Sequence, residues 1–160
     1  ELAVTDVAVI SAGVKSILDI GRTLERLETL GVPVVGYGSD EFPSFFSRVS
    51  GHRVPMRLDT PEDLAAMMRA KWALGIAGGV SIANPVPTGE EIPASDMDAV
   101  IARALADCDA RGIRGKDITP YLLGRIVELT EGASLRTNIA LVRNNARLGA
   151  ALAVAYSALD

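Results

Sequence analysis

An α/β fold is predicted by three observations on the sequence. Short β-branched runs alternate with helical spacings through the first half of the chain. From Ser95 onward the spacing is helical throughout, and no internal repeat or low-complexity segment interrupts the order. The chain therefore reads as α/β first and then an all-helical carboxy-terminal layer.

"VAVIS" (7–11) is short, β-branched and closed by Gly13, so it reads as a buried strand. "VKSILDIGRTLERLETLG" follows, with Ile17, Leu18, Leu24, Leu27 and Leu30 on one helical face and Gly31 as its stop. "VPVVGYG" (32–38) is the next strand, closed by the turn Ser39-Asp40-Glu41. "VPMRLD" (54–59) is weaker, and Pro55 pushes it to a sheet edge. Asp59-Thr60-Pro61 starts a helix with proline at its first position, running to about Leu74. "GIAGGVSIANPVP" (75–87) holds a strand ending before Asn84-Pro85. Three helices follow over 95–111, 117–130 and 134–158, punctuated by Thr119-Pro120 and Gly132.

At 160 residues the chain has the size of one domain with a real core. Its hydrophobic content of 49% and mean hydropathy of +0.27 exceed what one small domain hides, so an oligomer or a missing piece of the same protein is expected. The apolar runs fall far short of the roughly 18 residues that cross a bilayer, and no membrane role is expected. Nor does the amino terminus read as a secretory signal. A net charge of −4 argues against non-specific nucleic-acid binding. The lone Cys108 can form no internal disulfide, which suits a reducing cytoplasm. Starting at Glu1, the sequence reads as cut or encoded apart from something longer.

Several motif-like stretches lead nowhere. "SAGVKS" lacks the adjacent Gly-Lys pair and the upstream glycine of a phosphate loop. "GYGSDEF" places Glu41 where a third dinucleotide-binding glycine belongs, and "GIAGGV" precedes its strand instead of following it; both read as turns. His52 has no second histidine or cysteine to make a zinc set. Glu90-Glu91 and the Asp107/Asp109 pair read as solvated faces, and "EFPSFF" as core or interface.

Lysine is scarce, with Lys15, Lys71 and Lys116 against thirteen arginines. Arginine cannot shed its proton in a protein and lysine can. Lys71 falls on a helix surface and Lys116 in the polar stretch "GIRGKD", where solvation explains them. Lys15 instead follows a strand through a small-residue turn, in the first turn of the next predicted helix. Ligands gather at such carboxyl ends of parallel strands. An ordinary lysine, with pKa about 10.4, is a neutral amine in only about four molecules per ten thousand at pH 7. A helix amino terminus and partial burial would both raise that fraction, whereas Asp19, if aimed at the amine, would lower it. Two roles are thus open to Lys15: a nucleophile, or a stem packed on the sheet with its head in water.

"SAGVKSILDIGRTLERLETLGVPVVGY" resembles the signature of the pseudouridine-5′-phosphate glycosidases. The likeness continues through "DEFPSFFSR", "RLDTPEDLAAMMRAKWALGIAGGVSIANPVP" and "ITPYLLGRIVELTEGASLRTNIALVRNNARLGA". It spans nearly the whole chain but matches only the carboxy-terminal half of the family's proteins. The resemblance implies an α/β/α sandwich assembled as a homotrimer, this chain supplying part of the sheet and the carboxy-terminal helical layer. It also implies reversible cleavage of the C–C glycosidic bond of pseudouridine 5′-phosphate to uracil and ribose 5-phosphate, by a lysine that forms a covalent adduct. The family's lysine falls on Lys15 and its asparagine on Asn138, with Asn145 seven residues on as a supporting candidate. The manganese ligand, the acidic proton donor, a further lysine and most phosphate contacts belong to the amino-terminal half, which the chain lacks and would need as a partner.

Two other readings compete. One is a non-catalytic fragment that only assembles or binds a partner, with Asn138 and Asn145 as helix-packing polarity. The other is lysine chemistry on a different sugar phosphate.

Overall fold

The computed structural model describes residues 1–15 and 18–159. Strand β1 (Ala8–Ser11) leads through a loop to helix α1 (Ile20–Thr29), then to β2 (Val34–Tyr37), β3 (Met56–Leu58), α2 (Pro61–Ala73) and β4 (Val80–Ala83). Three helices complete the described chain: α3 (Ala94–Ala110), α4 (Ile118–Leu129) and α5 (Ala133–Ser157). The sheet order is β1-β4-β2-β3, and every pairing is parallel.

Alternation along the strands sorts the sheet into two covered faces. Val35, Val80 and Ile82 point to one side, where α2 supplies Leu64, Ala65 and Met68 and α5 supplies Leu148, Leu152 and Ala155. Val34 and Ala83 point to the other, against Ile20, Leu24 and Leu27 of α1. This is the α/β/α layering expected. Helices α3 and α4 build a second cluster around Met97, Ile101, Leu122 and Ile126, into which Cys108 and Phe46 are sealed.

Most elements start and stop where the sequence places them. Pro61 opens α2, and the Thr60 hydroxyl accepts from the Asp63 amide at 3.1 Å. Gly31, with φ +67, follows the last turn of α1 as predicted. β3 lies at an edge, as Pro55 requires.

Four expectations need correction. The first helix begins at Ile20, not Val14: Asp19 adopts an extended backbone and its carboxylate accepts from the Arg22 amide at 2.9 Å. An aspartate cap of this kind holds a helix start more strongly than the apolar spacing ahead of it. Ile17, counted in that spacing, lies outside the described residues. Second, β1 is only partly buried, with Val9 40% exposed, because it forms the other edge of the sheet.

Third, Asp107 is no free solvated acid. It takes a 2.7 Å bond from Arg125, which also binds Glu128 at 2.7 Å, while Asp109 pairs with Arg114 at 2.9 Å. Glu128 and Asp107 together hold the Arg125 guanidinium protonated beyond its ordinary range.

The fourth correction concerns Lys71, which is buried, not solvated. Its ammonium donates to the carbonyls of Ile76, Ala77 and Gly78 at 2.8, 2.8 and 2.5 Å. The chain leaving α2 folds back over the lysine, and the Asp6 carboxylate accepts from the Gly78 amide at 2.7 Å to close the turn. This knot sits at the amino ends of β1 and β4, whereas Lys15 lies beyond the carboxyl end of β1. Lys71→Met should lower unfolding free energy by about 3 kcal/mol, since three desolvated carbonyls lose a charged donor at once. The urea midpoint checks this.

At the carboxyl ends, α5 is fastened to the sheet by consecutive asparagines. Asn144 donates to the Pro85 carbonyl at 3.1 Å, and Asn84 donates to the Asn145 side-chain oxygen at 2.9 Å. Asn84, itself buried, also donates its amide to the Ser11 carbonyl at 2.7 Å. Apolar side chains stand out at Val7 and Val9 and along α5 at Leu135, Ile139 and Val142, the surplus anticipated from composition. No helix among the described residues is long and apolar enough to cross a membrane.

Candidate functional site

Beyond β1 the backbone passes through Ala12 and Gly13 to Lys15, which is half-buried. Ala12 packs with Val86 and Leu141, while the Phe45 amide donates to the Ala12 carbonyl at 2.9 Å. Gly13 forms an antiparallel bridge with Ser44. A side chain on Gly13 would begin 1.9 Å from the Pro43 carbonyl oxygen, and its φ is +86. Only glycine lets the two loops lie so close.

Lys15 therefore belongs to a loop seated on the 42–47 segment, not to a helix, and the helix-terminus argument for a neutral amine does not apply to it. Its own carbonyl accepts from the Leu18 amide at 2.8 Å. Asp19 is committed to its cap and to Arg22, 3.5 Å away.

Lys15 and Asn138, assigned from separate sequence blocks, line the same cavity of about 430 Å³. Its walls include Phe45 and Phe46 on one side and Val127 of α4 and Leu135 of α5 on the other. Among the described lining residues Lys15 is the sole charged one and Asn138 brings an amide, the rest being mostly apolar. Ser134, also at the wall, is held by Thr130, whose hydroxyl donates to it at 2.9 Å and accepts from its amide at 3.2 Å. Asn145 does not line the hollow, being engaged with Asn84.

A larger groove of about 730 Å³ runs between α1 and residues 52–55, past Glu25, Glu28, His52 and Arg53. Neither Lys15 nor Asn138 reaches it, and its groups make no nucleophile-and-amide pair. Among the described residues no three histidine, cysteine or acidic side chains gather to hold a metal ion. Sequence reasoning passed over Phe45 and Ser134 as cavity walls; the aromatic cluster "EFPSFF" was the available signal, and of its three aromatic rings Phe42 and Phe46 are buried while Phe45 is half-buried.

Comparison with known proteins places this chain in a family. Residues 1–155 match the model for indigoidine synthase A like protein. A pseudouridine-5′-phosphate glycosidase of Nocardioides sp. is 69% identical over 159 residues, covering 99% of this chain and 52% of the relative. One of Deinococcus radiodurans is 61% identical, covering 99% of this chain and 51% of the relative. The prealnumycin C-glycosynthase AlnA, solved with ribulose 5-phosphate, superposes with a TM-score of 0.90 at 34% identity, covering 99% of this chain and 52% of that one. An indigoidine synthase A-like protein of Thermotoga maritima gives 0.80 at 33%, covering 98% of this chain and 51% of that one. The chain spans about half the length of these relatives. By fold, by family model and by sequence identity, it belongs to the indigoidine synthase A-like family, among relatives named pseudouridine-5′-phosphate glycosidases.

Proposed function

We propose that this chain forms the nucleophile-bearing portion of a glycosidase that reversibly splits pseudouridine 5′-phosphate into uracil and ribose 5-phosphate. The observation that carries the reading is the shared cavity of Lys15 and Asn138. It is supported by the names of the relatives and by the sugar phosphate bound in the C-glycosynthase.

The chemistry follows from the bond to be broken. An anomeric carbon joined to carbon offers no exocyclic nitrogen or oxygen to protonate. The neutral Lys15 amine adds to C1′ as the bond from C1′ to the ring oxygen breaks; the nitrogen, now positively charged, gives up a proton and regains its lone pair, and the ring oxygen takes a proton to become a hydroxyl. The nitrogen lone pair then forms an iminium at C1′ as the bond to the base carbon breaks, while that carbon gains a proton and uracil departs. Water adds to the iminium, releasing ribose 5-phosphate and the free amine. The Asn138 amide, donor and acceptor at once, orients a sugar hydroxyl or a uracil carbonyl.

The remaining parts of the site, including the proton donor, the phosphate contacts and the manganese ligand, we assign to the stretch of the relatives that this chain does not span. We assign the exposed Val7, Val9, Leu135, Ile139 and Val142 to contact with that stretch and with further copies in a homotrimer. Cytoplasmic operation suits the unpaired, buried Cys108.

The direct test mixes this chain with the unspanned segment of the Nocardioides sp. relative and measures uracil release from pseudouridine 5′-phosphate. Release by the mixture is the expected result. An adduct with ribose 5-phosphate, trapped by borohydride, should map to Lys15, and failure to find one there overturns the reading.

A further inference from the structure

We propose that Phe45 is the base-recognition wall of this site, a stacking surface for the flat heteroaromatic aglycone whose sugar Lys15 captures. The inference rests on the function proposed above and adds to it the residue that discriminates the base.

Phe45 is one of two non-glycine residues with positive φ among those described, at +60. A bulky aromatic side chain rarely occupies the left-handed region, and such strain persists where the surroundings over-determine it. Here the determinants are explicit. The Phe45 amide is bound to the Ala12 carbonyl at 2.9 Å, and the Ser44 amide to the Ser47 carbonyl at 2.9 Å. Glycine would meet these backbone demands without cost, yet an aromatic ring stands there.

The ring is only half-buried, while its neighbours Phe42 and Phe46 are 2% and 5% exposed. Phe46 braces it edge-on, with centroids 4.8 Å apart and planes at 86°. Phe45 also packs against the Ala12, Val86 and Leu141 cluster, so its position is fixed from behind. Phe45 also lines the cavity shared with Lys15 and Asn138. A uracil ring has a π-face on each side and polar groups at its edge. Stacking on an aromatic face with an amide at the edge matches both features.

The test uses the mixture of chain and unspanned segment in the synthetic direction, where uracil and ribose 5-phosphate are separate substrates. Phe45→Leu keeps apolar volume but removes the π-face. It should raise the KM for uracil about tenfold to a hundredfold, the range base stacking on aromatics gives, and leave the KM for ribose 5-phosphate and the Lys15 borohydride adduct unchanged. Phe45→Gly, which relaxes the backbone, should raise the uracil KM likewise and guards against a misfolded leucine variant. Phe45→Trp should keep the uracil KM near that of the parent.

Unchanged uracil KM in the leucine and glycine variants overturns the stacking role. Equal rises for both substrates overturn it too, because they report a merely structural side chain. A parent protein that forms no Lys15 adduct overturns the function itself, and the base wall with it. An adduct with unaltered uracil KM removes the wall alone.

Discussion

Lys15→Ala is expected to abolish uracil release in the reconstituted mixture, by about a thousandfold or more, because no other amine lines the cavity among the described residues. Lys15→Arg should be equally inactive. It retains the positive charge and a long stem, so a purely electrostatic role would survive the change, whereas a nucleophile would not, since the guanidinium never yields a free lone pair at working pH. Both variants should unfold at the parent's urea concentration, because the half-buried side chain contributes little packing. Residual release above about a tenth of the parent rate in either variant would remove Lys15 from the chemistry.

Gly13→Ala carries the largest expected loss of stability, about 3–5 kcal/mol. Two costs add. The φ of +86 places an L-residue in a disfavoured region. The new methyl would also start 1.9 Å from the Pro43 carbonyl oxygen and 3.2 Å from the Phe42 ring, where backbone, not a flexible chain end, must give way. Gly31→Ala is the comparison: φ is +67 but nothing lies within 4 Å, so only conformational strain of about 1 kcal/mol remains. Urea midpoints for the pair separate collision from strain. A Gly13→Ala midpoint matching that of Gly31→Ala would mean that the two loops do not press together as described.

Local chemistry made much of the architecture legible. Thr60-Pro61 and Gly31 carry their own start and stop instructions, and the apolar runs at 34–37 and 80–83 hold too few polar groups to be anything but covered strands. The failures share one cause, contact between segments distant in sequence or looped back on themselves. Lys71 reads as a surface lysine on its helix, since the carbonyls that enclose it belong to the turn after that helix, which Asp6, distant in sequence, helps to hold. Asp107 reads as solvated until α4 brings Arg125 beside it. Phe45 reads as core or interface, and nothing local announces a left-handed backbone at an aromatic residue. For the site, spacing and charge isolated Lys15, and family resemblance supplied Asn138. The fold brings the two to one hollow, while the boundary of α1 took away the dipole argument first attached to the amine.

The paired grips of Asn144 and Asn145 on the strand end have a further bearing on that hollow. Neighbouring helical positions point about 100° apart, so the two bonds act on α5 from different directions. Together they forbid both axial sliding and spin, as a key forbids a shaft to turn in its hub. Asn138 lies six and seven positions upstream, about 10 Å along the same rigid rod. Its place at the wall of that hollow is therefore clocked by a fixture outside the hollow.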